Sequence, residues 1–400
     1  MEGKISLQTP FNRQTENKIP NILFILIIIT MPFYITPSGL PQISDVIMVV
    51  LILTLLYKDQ LFFRQDQFII LLGFMLGTYI LVINGLWSIY YNSHYFNALR
   101  TSSWYFYNLL VLFVVISLYR IQGSQKVFHL MYKALFWSLT IQLLFMPFSY
   151  ENNVREQLFF NNPNQLAYFS LLSIALVLFL KSRITIDRKA FIYLITISMT
   201  LVIISLSKAA IITAILMIVI YMFNIKKIFK LRYILLLFTI IISLTAFIKN
   251  FNVSYISDSN EFLFNLYTRF DTMFEQDDSS LEGRAYDKIL LFKERMVFGA
   301  GEAFNDRLRY RASMEIHSTL INFLFSYGLV GFIILLALLG MLFNFGYKLD
   351  KVIYIALLGV FIYGLTHNGI RNPLLWILFG LIYISITNEK KTISHSKLTR

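Results

Sequence analysis

Apolar runs long enough to cross a hydrocarbon core of about 30 Å recur along most of this chain, near residues 21–37, 42–57, 67–87, 104–119, 127–147, 164–181, 190–206, 208–223, 231–248, 317–343, 351–367 and 371–387. A stretch of this kind carries no polar face to show to water, so the solvent for most of the chain must be lipid. Composition agrees: 57% of the residues are hydrophobic, 16% aromatic and only 14% charged, well outside the range of soluble domains. The expected fold is therefore an all-α polytopic integral membrane protein with about twelve transmembrane helices. The boundary at 206–208 is the least sharp, and the first run lacks a small-residue cleavage site, so it reads as a retained helix rather than a removed signal peptide.

Charge fixes the expected orientation. The net charge of +13 would suit a nucleic-acid partner if it were gathered on one face, but it is divided among loops in an alternating way. With a cytoplasmic N-terminus, about 21 of the 35 Lys and Arg fall in the loops of one side, including Lys58 and Arg64, the KSRITIDRK and NIKKIFKLR segments, and the C-terminal tail. On the other side acidic residues outnumber basic ones in the one long polar segment. Both termini are then cytoplasmic, and residues 250–316 form a large extracytoplasmic loop between the ninth and tenth helices of a single membrane domain spanning 1–400. Cysteine is absent, which removes disulfides, iron–sulfur clusters and thiol nucleophiles from consideration.

Four polar patches fall on the predicted outer side. The first is Phe160-Asn161-Asn162-Pro163-Asn164-Gln165 before the sixth helix, with Arg155 just upstream; Asn and Pro are also ordinary turn and helix-start residues. Next comes Ser207-Lys208, where a lysine between two apolar helices either snorkels to the interface or serves a function there. The third is EGRAYDKILLFKERM, from Glu282. Its spacing predicts an amphipathic helix along the outer membrane surface, with Ala285, Ile289, Phe292 and Met296 on the apolar face and Arg284, Lys288 and Arg295 opposite. The alternative for that cationic side is a solvated face paired with Asp287 and Glu294. Gly299-Ala300-Gly301 would break this helix. The fourth is His317 at the mouth of the next helix, with Ser318, Asn322 and a Gly328–Gly331 spacing behind it. An imidazole at the water interface can accept a proton at neutral pH, although a lone histidine at a helix start is more often structural.

Taken in order, NNPNQLAYFSL, SLSKAAIITAIL, EGRAYDKILLFKERMVFGAGEAF and EIHSTLINFLFSYGLVGF resemble the O-antigen ligase and O-antigen polymerase superfamily of bacterial surface polysaccharide assembly. The motifs cover roughly 155–345, and the topology the whole chain. The resemblance implies a GT-C-type glycosyltransferase of the bacterial inner membrane, acting in lipopolysaccharide or capsule biosynthesis without cofactor or metal. Its donor would be a glycan linked to undecaprenyl diphosphate, and its surroundings membrane lipids, a chain-length regulator and a flippase, with no nucleic acid. Carried over by residue, Arg284 binds the donor diphosphate and His317 deprotonates or orients the acceptor hydroxyl. Lys208 stands where the family usually has Arg; a point charge replaces a bidentate fork there. Lys288 and Arg295 on the cationic side, Asn164 in the first patch, and Arg155 and Arg371 by position complete the expected substrate-binding set.

Two rival classes differ in what they require. A ligase would share these sites and differ only in its acceptor, a lipid A core or a protein. A polysaccharide or lipid-linked oligosaccharide transporter has a similar helix number, but internal repeats and midplane charges are its usual signs, and neither is found in the sequence.

Overall fold

The computed structural model describes residues 18–58, 60–61, 67–92, 95–148, 155–222, 285–302 and 316–398. Every regular element among them is helical: α1 (Lys18–Thr30), α2 (Ile43–Tyr57), α3 (Gln67–Tyr91), α4 (Tyr95–Gln122), α5 (Ser124–Phe145), α6 (Pro163–Arg183), α7 (Arg188–Ile204), α8 (Lys208–Met222), a short α9 (Asp287–Leu291), α10 (Thr319–Leu349), α11 (Lys351–Gly364) and α12 (Pro373–Leu398). Eleven of the twelve expected spans coincide with these helices; 231–248 lies outside the described residues. Five described helices are long and apolar enough to cross a membrane, and five more are apolar but shorter.

Residues of local conformation set the breaks. Asn162 caps α6, its side chain accepting from Gln165 N at 2.9 Å with Pro163 at the first helical position, the place where a missing N–H costs nothing. Asp187 and Asp350 cap α7 and α11 in the same way. The uncertain boundary at 206–208 resolves into Ser205-Leu206-Ser207, a tight turn in which the buried Leu206 takes φ +48°.

Helix α6 forms the middle of the bundle. Every residue from Leu166 to Leu180 is buried, as expected of a helix that is apolar all round, and α5, α7, α8, α11 and α12 pack on it. By contrast α2 and α3 leave Val46, Val49, Val50, Leu53, Phe68, Leu71 and Phe74 exposed, which fits a lipid-facing rim. Between lipid-solvated helices close packing replaces the hydrophobic effect as the cohesive term. Gly380 shows this: a methyl group there would lie 2.9 Å from Val115 Cβ of α4.

Hydrogen bonds sort the connections onto two ends. At one, Tyr34 N donates to Phe159 O (3.0 Å), Asn161 Nδ2 to Thr36 O (2.9 Å), Glu156 N to Ile204 O (3.2 Å), Asn108 Nδ2 to Arg371 O (3.0 Å) and Thr319 N to His367 O (3.1 Å). At the other, Arg183 pairs with Asp350 at 2.9 Å. The described parts of the sequence patches gather at the first end.

Candidate active site

Around the start of α6, one guanidinium ties two connections together. Arg155 NH2 donates to Asn164 Oδ1 at 2.7 Å and its Nε to Ser205 O at 3.1 Å. Lys208 follows that turn as the first residue of α8 and is half-buried. The positive end of the α8 dipole adds to the charge of Lys208. Two cations and a helix N-terminus therefore share one small region, an arrangement that an anionic group would stabilise. Sequence spacing placed Arg155 and Asn164 in one patch and Lys208 in another; the hydrogen bond from Arg155 to Ser205 O brings the two patches together.

A second junction surrounds the start of α10. Ser318 is fully buried, and its Oγ accepts from Ile321 N at 3.4 Å, capping the helix. Tyr286 OH lies 3.2 Å from both His317 O and Leu365 O, so the segment after Arg284, the start of α10 and the end of α11 meet at one phenol. His317 itself is exposed there. Arg284 lies outside the described residues. Its chain neighbour Ala285 takes φ +58° and is buried in a small cluster with Ala300, Ile316 and Phe325.

The expected amphipathic helix from Glu282 is corrected by the structure. Among the described residues from Ala285 on, only Asp287–Leu291 is α-helical; a 3-10 turn, Lys293–Arg295, follows, and a further turn over Met296–Phe298 leads into Gly299 and Gly301. Ile289, Phe292 and Met296 do pack on the small cluster, so the apolar face was read correctly. On the cationic side Arg284 lies outside the described residues, and Lys288 departs from the expectation. Lys288 is 2% exposed, while Leu290 and Leu291 are open. Arg295 lies over the Trp87 ring at 4.1 Å and reaches Tyr91 OH at 3.4 Å, holding the segment against α3 by a cation–π contact.

What keeps this segment from being a helix is a break in α10. At Gly328 the backbone leaves helical geometry (φ +65°, ψ −174°), freeing carbonyls before it and N–H groups after it. The 296–301 segment satisfies both sets: Ala300 N donates to Phe325 O and Gly301 N to Ser326 O, each at 2.8 Å, and Leu329 N donates to Met296 O at 2.8 Å. Irregular backbone within an apolar helix is tolerated when protein groups complete it. Neither glycine can be replaced cheaply, since a Cβ on Gly299 would lie 2.6 Å from the Tyr327 carbonyl carbon, and one on Gly328 would lie 2.6 Å from Gly299 N. Further ties come from α3, where Tyr79 OH donates to Phe298 O (2.9 Å) and Trp87 Nε1 to Gly299 O (2.8 Å).

The comparisons with known proteins bear on this same region. Residues 191–336 match the family model described as O-Antigen ligase. The resemblance to the O-antigen ligase and polymerase superfamily is supported. The matched span runs from α7 past the Gly328 break, and so contains Lys208, Arg284, Lys288, Arg295 and His317. No curated protein and no solved structure matches the chain.

Two groups outside the expected set stand at this end of the bundle. Glu302 is 7% exposed; its Oε1 accepts from Tyr327 OH at 2.8 Å and its N–H donates to Asn84 Oδ1 at 2.8 Å. Arg371, in the α11–α12 connection, accepts at its carbonyl oxygen from Asn108 Nδ2 at 3.0 Å. His367, four residues before Arg371, stacks on Tyr363. The acid directly after Gly-Ala-Gly and the polar run Thr366-His367-Asn368-Gly369-Ile370-Arg371-Asn372 between two apolar stretches were the available sequence signals for them.

Proposed function

We propose that this chain is a glycosyltransferase that moves a glycan from a polyprenyl diphosphate to the growing end of a bacterial surface polysaccharide, at the outer face of the cytoplasmic membrane. The O-antigen ligase family match supports activity of the ligase or polymerase type. The observation that carries the finer reading is the collection of Arg155, Lys208, Arg371 and His317 at one end of an otherwise apolar bundle. A lipid diphosphate gains negative charge as the glycosidic bond breaks, and fixed cations held in a site of low dielectric stabilise that charge. Arg284 is assigned to the diphosphate, with Lys208 and Arg155 beside it. His317, at the exposed junction, deprotonates or orients the attacking hydroxyl. The lipid-facing rim admits a polyprenyl chain laterally, and the diphosphate supplies the free energy. Positive charge from these side chains takes the place a metal holds in other transferases.

Polymerase is preferred to ligase, and glycan chain length in a deletion strain decides between them. Loss of a polymerase leaves single-unit caps on the final acceptor. Loss of a ligase leaves long lipid-linked chains that never reach it. Unchanged surface polysaccharide contradicts both.

A further inference from the structure

Asn322, just over one turn along the chain from His317, is a buried polar group whose hydrogen bonding the fold leaves incomplete. It is 7% exposed, and Ser326, four residues further on the same face of α10, is 4% exposed. Their backbone groups are engaged: Asn322 N donates to Ser318 O, and Ser326 O accepts from Gly301 N, each at 2.8 Å. Neither the Asn322 amide nor the Ser326 hydroxyl has a hydrogen-bond partner among the described residues. Buried polar neighbours do: Ser318 Oγ accepts from Ile321 N at 3.4 Å, Asn84 Nδ2 donates to Ser102 Oγ at 3.0 Å, and Glu302 Oε1 accepts from Tyr327 OH at 2.8 Å.

Helix geometry fixes where this face looks. Phe325 stands roughly 60° round the axis from Asn322 on one side, and Thr319 roughly 60° on the other. Phe325 packs with Ala285, Ala300 and Ile316, so the first side is walled by the segment that follows Arg284. Thr319 N and Oγ1 donate to His367 O at 3.1 and 2.7 Å, so the second is walled by the α11–α12 connection. Asn322 therefore faces the junction of those two walls, below the exposed His317.

An amide shielded from water without a partner destabilises a fold, the more so in a bundle solvated by lipid. Departures of this kind are expected where function selects the residue. Both groups are neutral, so they suit the sugar and not the diphosphate. A primary amide carries a donor and an acceptor side by side, matching two neighbouring sugar hydroxyls, each of which both donates and accepts. We infer that Asn322, with Ser326 behind it, is a specificity-determining residue that binds hydroxyls of the acceptor sugar next to the attacking one. The inference rests on the transferase reading, in which His317 handles the attacking hydroxyl.

The test uses purified full-length protein in lipid nanodiscs, with a polyprenyl-diphosphate oligosaccharide as donor and the same oligosaccharide on a short alkyl chain, without diphosphate, as acceptor. Asn322→Leu removes an unpaired buried amide at similar volume, so it should melt at or above the wild-type temperature and bind donor as before, while the acceptor KM rises about tenfold or more. A residue kept only for structure would give the opposite pattern, a lower melting temperature with KM intact. Acceptors lacking one hydroxyl at a time identify the contact: one of them should be used about tenfold or more less well by wild type and lose nothing further in Asn322→Leu. Should Asn322→Leu fold poorly, Ser326→Ala carries the test, with an unchanged melting temperature and a smaller rise in the acceptor KM. Wild-type acceptor KM in the folded variants, or deoxy acceptors that lose as much in Asn322→Leu as in wild type, overturn the assignment and leave the transferase reading standing. A wild-type protein that never transfers glycan from this donor overturns both.

Discussion

Gly299 and Gly328 are the residues where backbone geometry alone decides a substitution. Gly328→Ala forces a side chain into φ +65° and against the Val297–Gly299 backbone, so it should cost about 3 kcal/mol or more and undock the 296–301 segment. Gly340, on the same helix with nothing near its Cβ position, should tolerate alanine and gain up to about 1 kcal/mol from helix propensity. Thermal unfolding of the two variants in detergent checks the contrast, and equal melting temperatures would contradict the docked break. The sequence shows both glycine pairs but not their mutual contact, which is long-range. If the proposed roles hold, Arg284→Ala should lose about 3 kcal/mol or more of transition-state stabilisation, roughly a hundredfold or more in rate, and Arg284→Lys should recover only part of it. His317→Ala should leave donor binding nearly intact and slow transfer by about a hundredfold or more. Single-turnover rates and donor-binding measurements separate these effects; normal-length polymer from both alanine variants at normal abundance contradicts the two roles.

At the scale of elements, helix positions were legible because a bilayer imposes length and apolarity on each span, and local caps such as Asn162-Pro163 mark the starts. The departure from a helix over 285–296 has a physical cause. Ala285, Ile289, Phe292 and Met296 have helical spacing and do face one cluster, but the hydrogen-bonding groups freed at Gly328 compete for the backbone just beyond them. Tertiary pairing prevails over periodicity, and Lys288 turns inward as a result. His367 and Glu302 were missed for a related reason: their meaning lies in Tyr363, Thr319 and Tyr327, partners distant in sequence from at least one of them or carried by the apolar helices themselves. The opposite end offers a simpler check. Arg183 and Asp350 join the α6 and α11 ends at 2.9 Å with side chains 14% and 19% exposed, so a double-mutant cycle of Arg183→Ala and Asp350→Ala should show coupling of about 1–2 kcal/mol. Strict additivity would mean that the pair does not hold these ends together.

For the whole molecule, the chain's charge pattern sets an orientation that the hydrogen bonds do not address: contacts establish which connections share an end, and the Lys/Arg bias proposes which end is cytoplasmic. Fusions at Asp278 and at the C-terminus should report an extracytoplasmic and a cytoplasmic position respectively; a cytoplasmic signal at Asp278 removes the site from its proposed substrates. The central claim is that this bundle transfers glycan from a lipid diphosphate by means of its own side-chain charges. Purified protein reconstituted in lipid with a polyprenyl-diphosphate oligosaccharide and chelator tests that claim directly, by following glycan length and released polyprenyl diphosphate together. Equal release of polyprenyl diphosphate for each unit added, undiminished by EDTA, is the predicted result. A donor that stays intact, or turnover lost in EDTA and restored by Mg²⁺ or Mn²⁺, would contradict it.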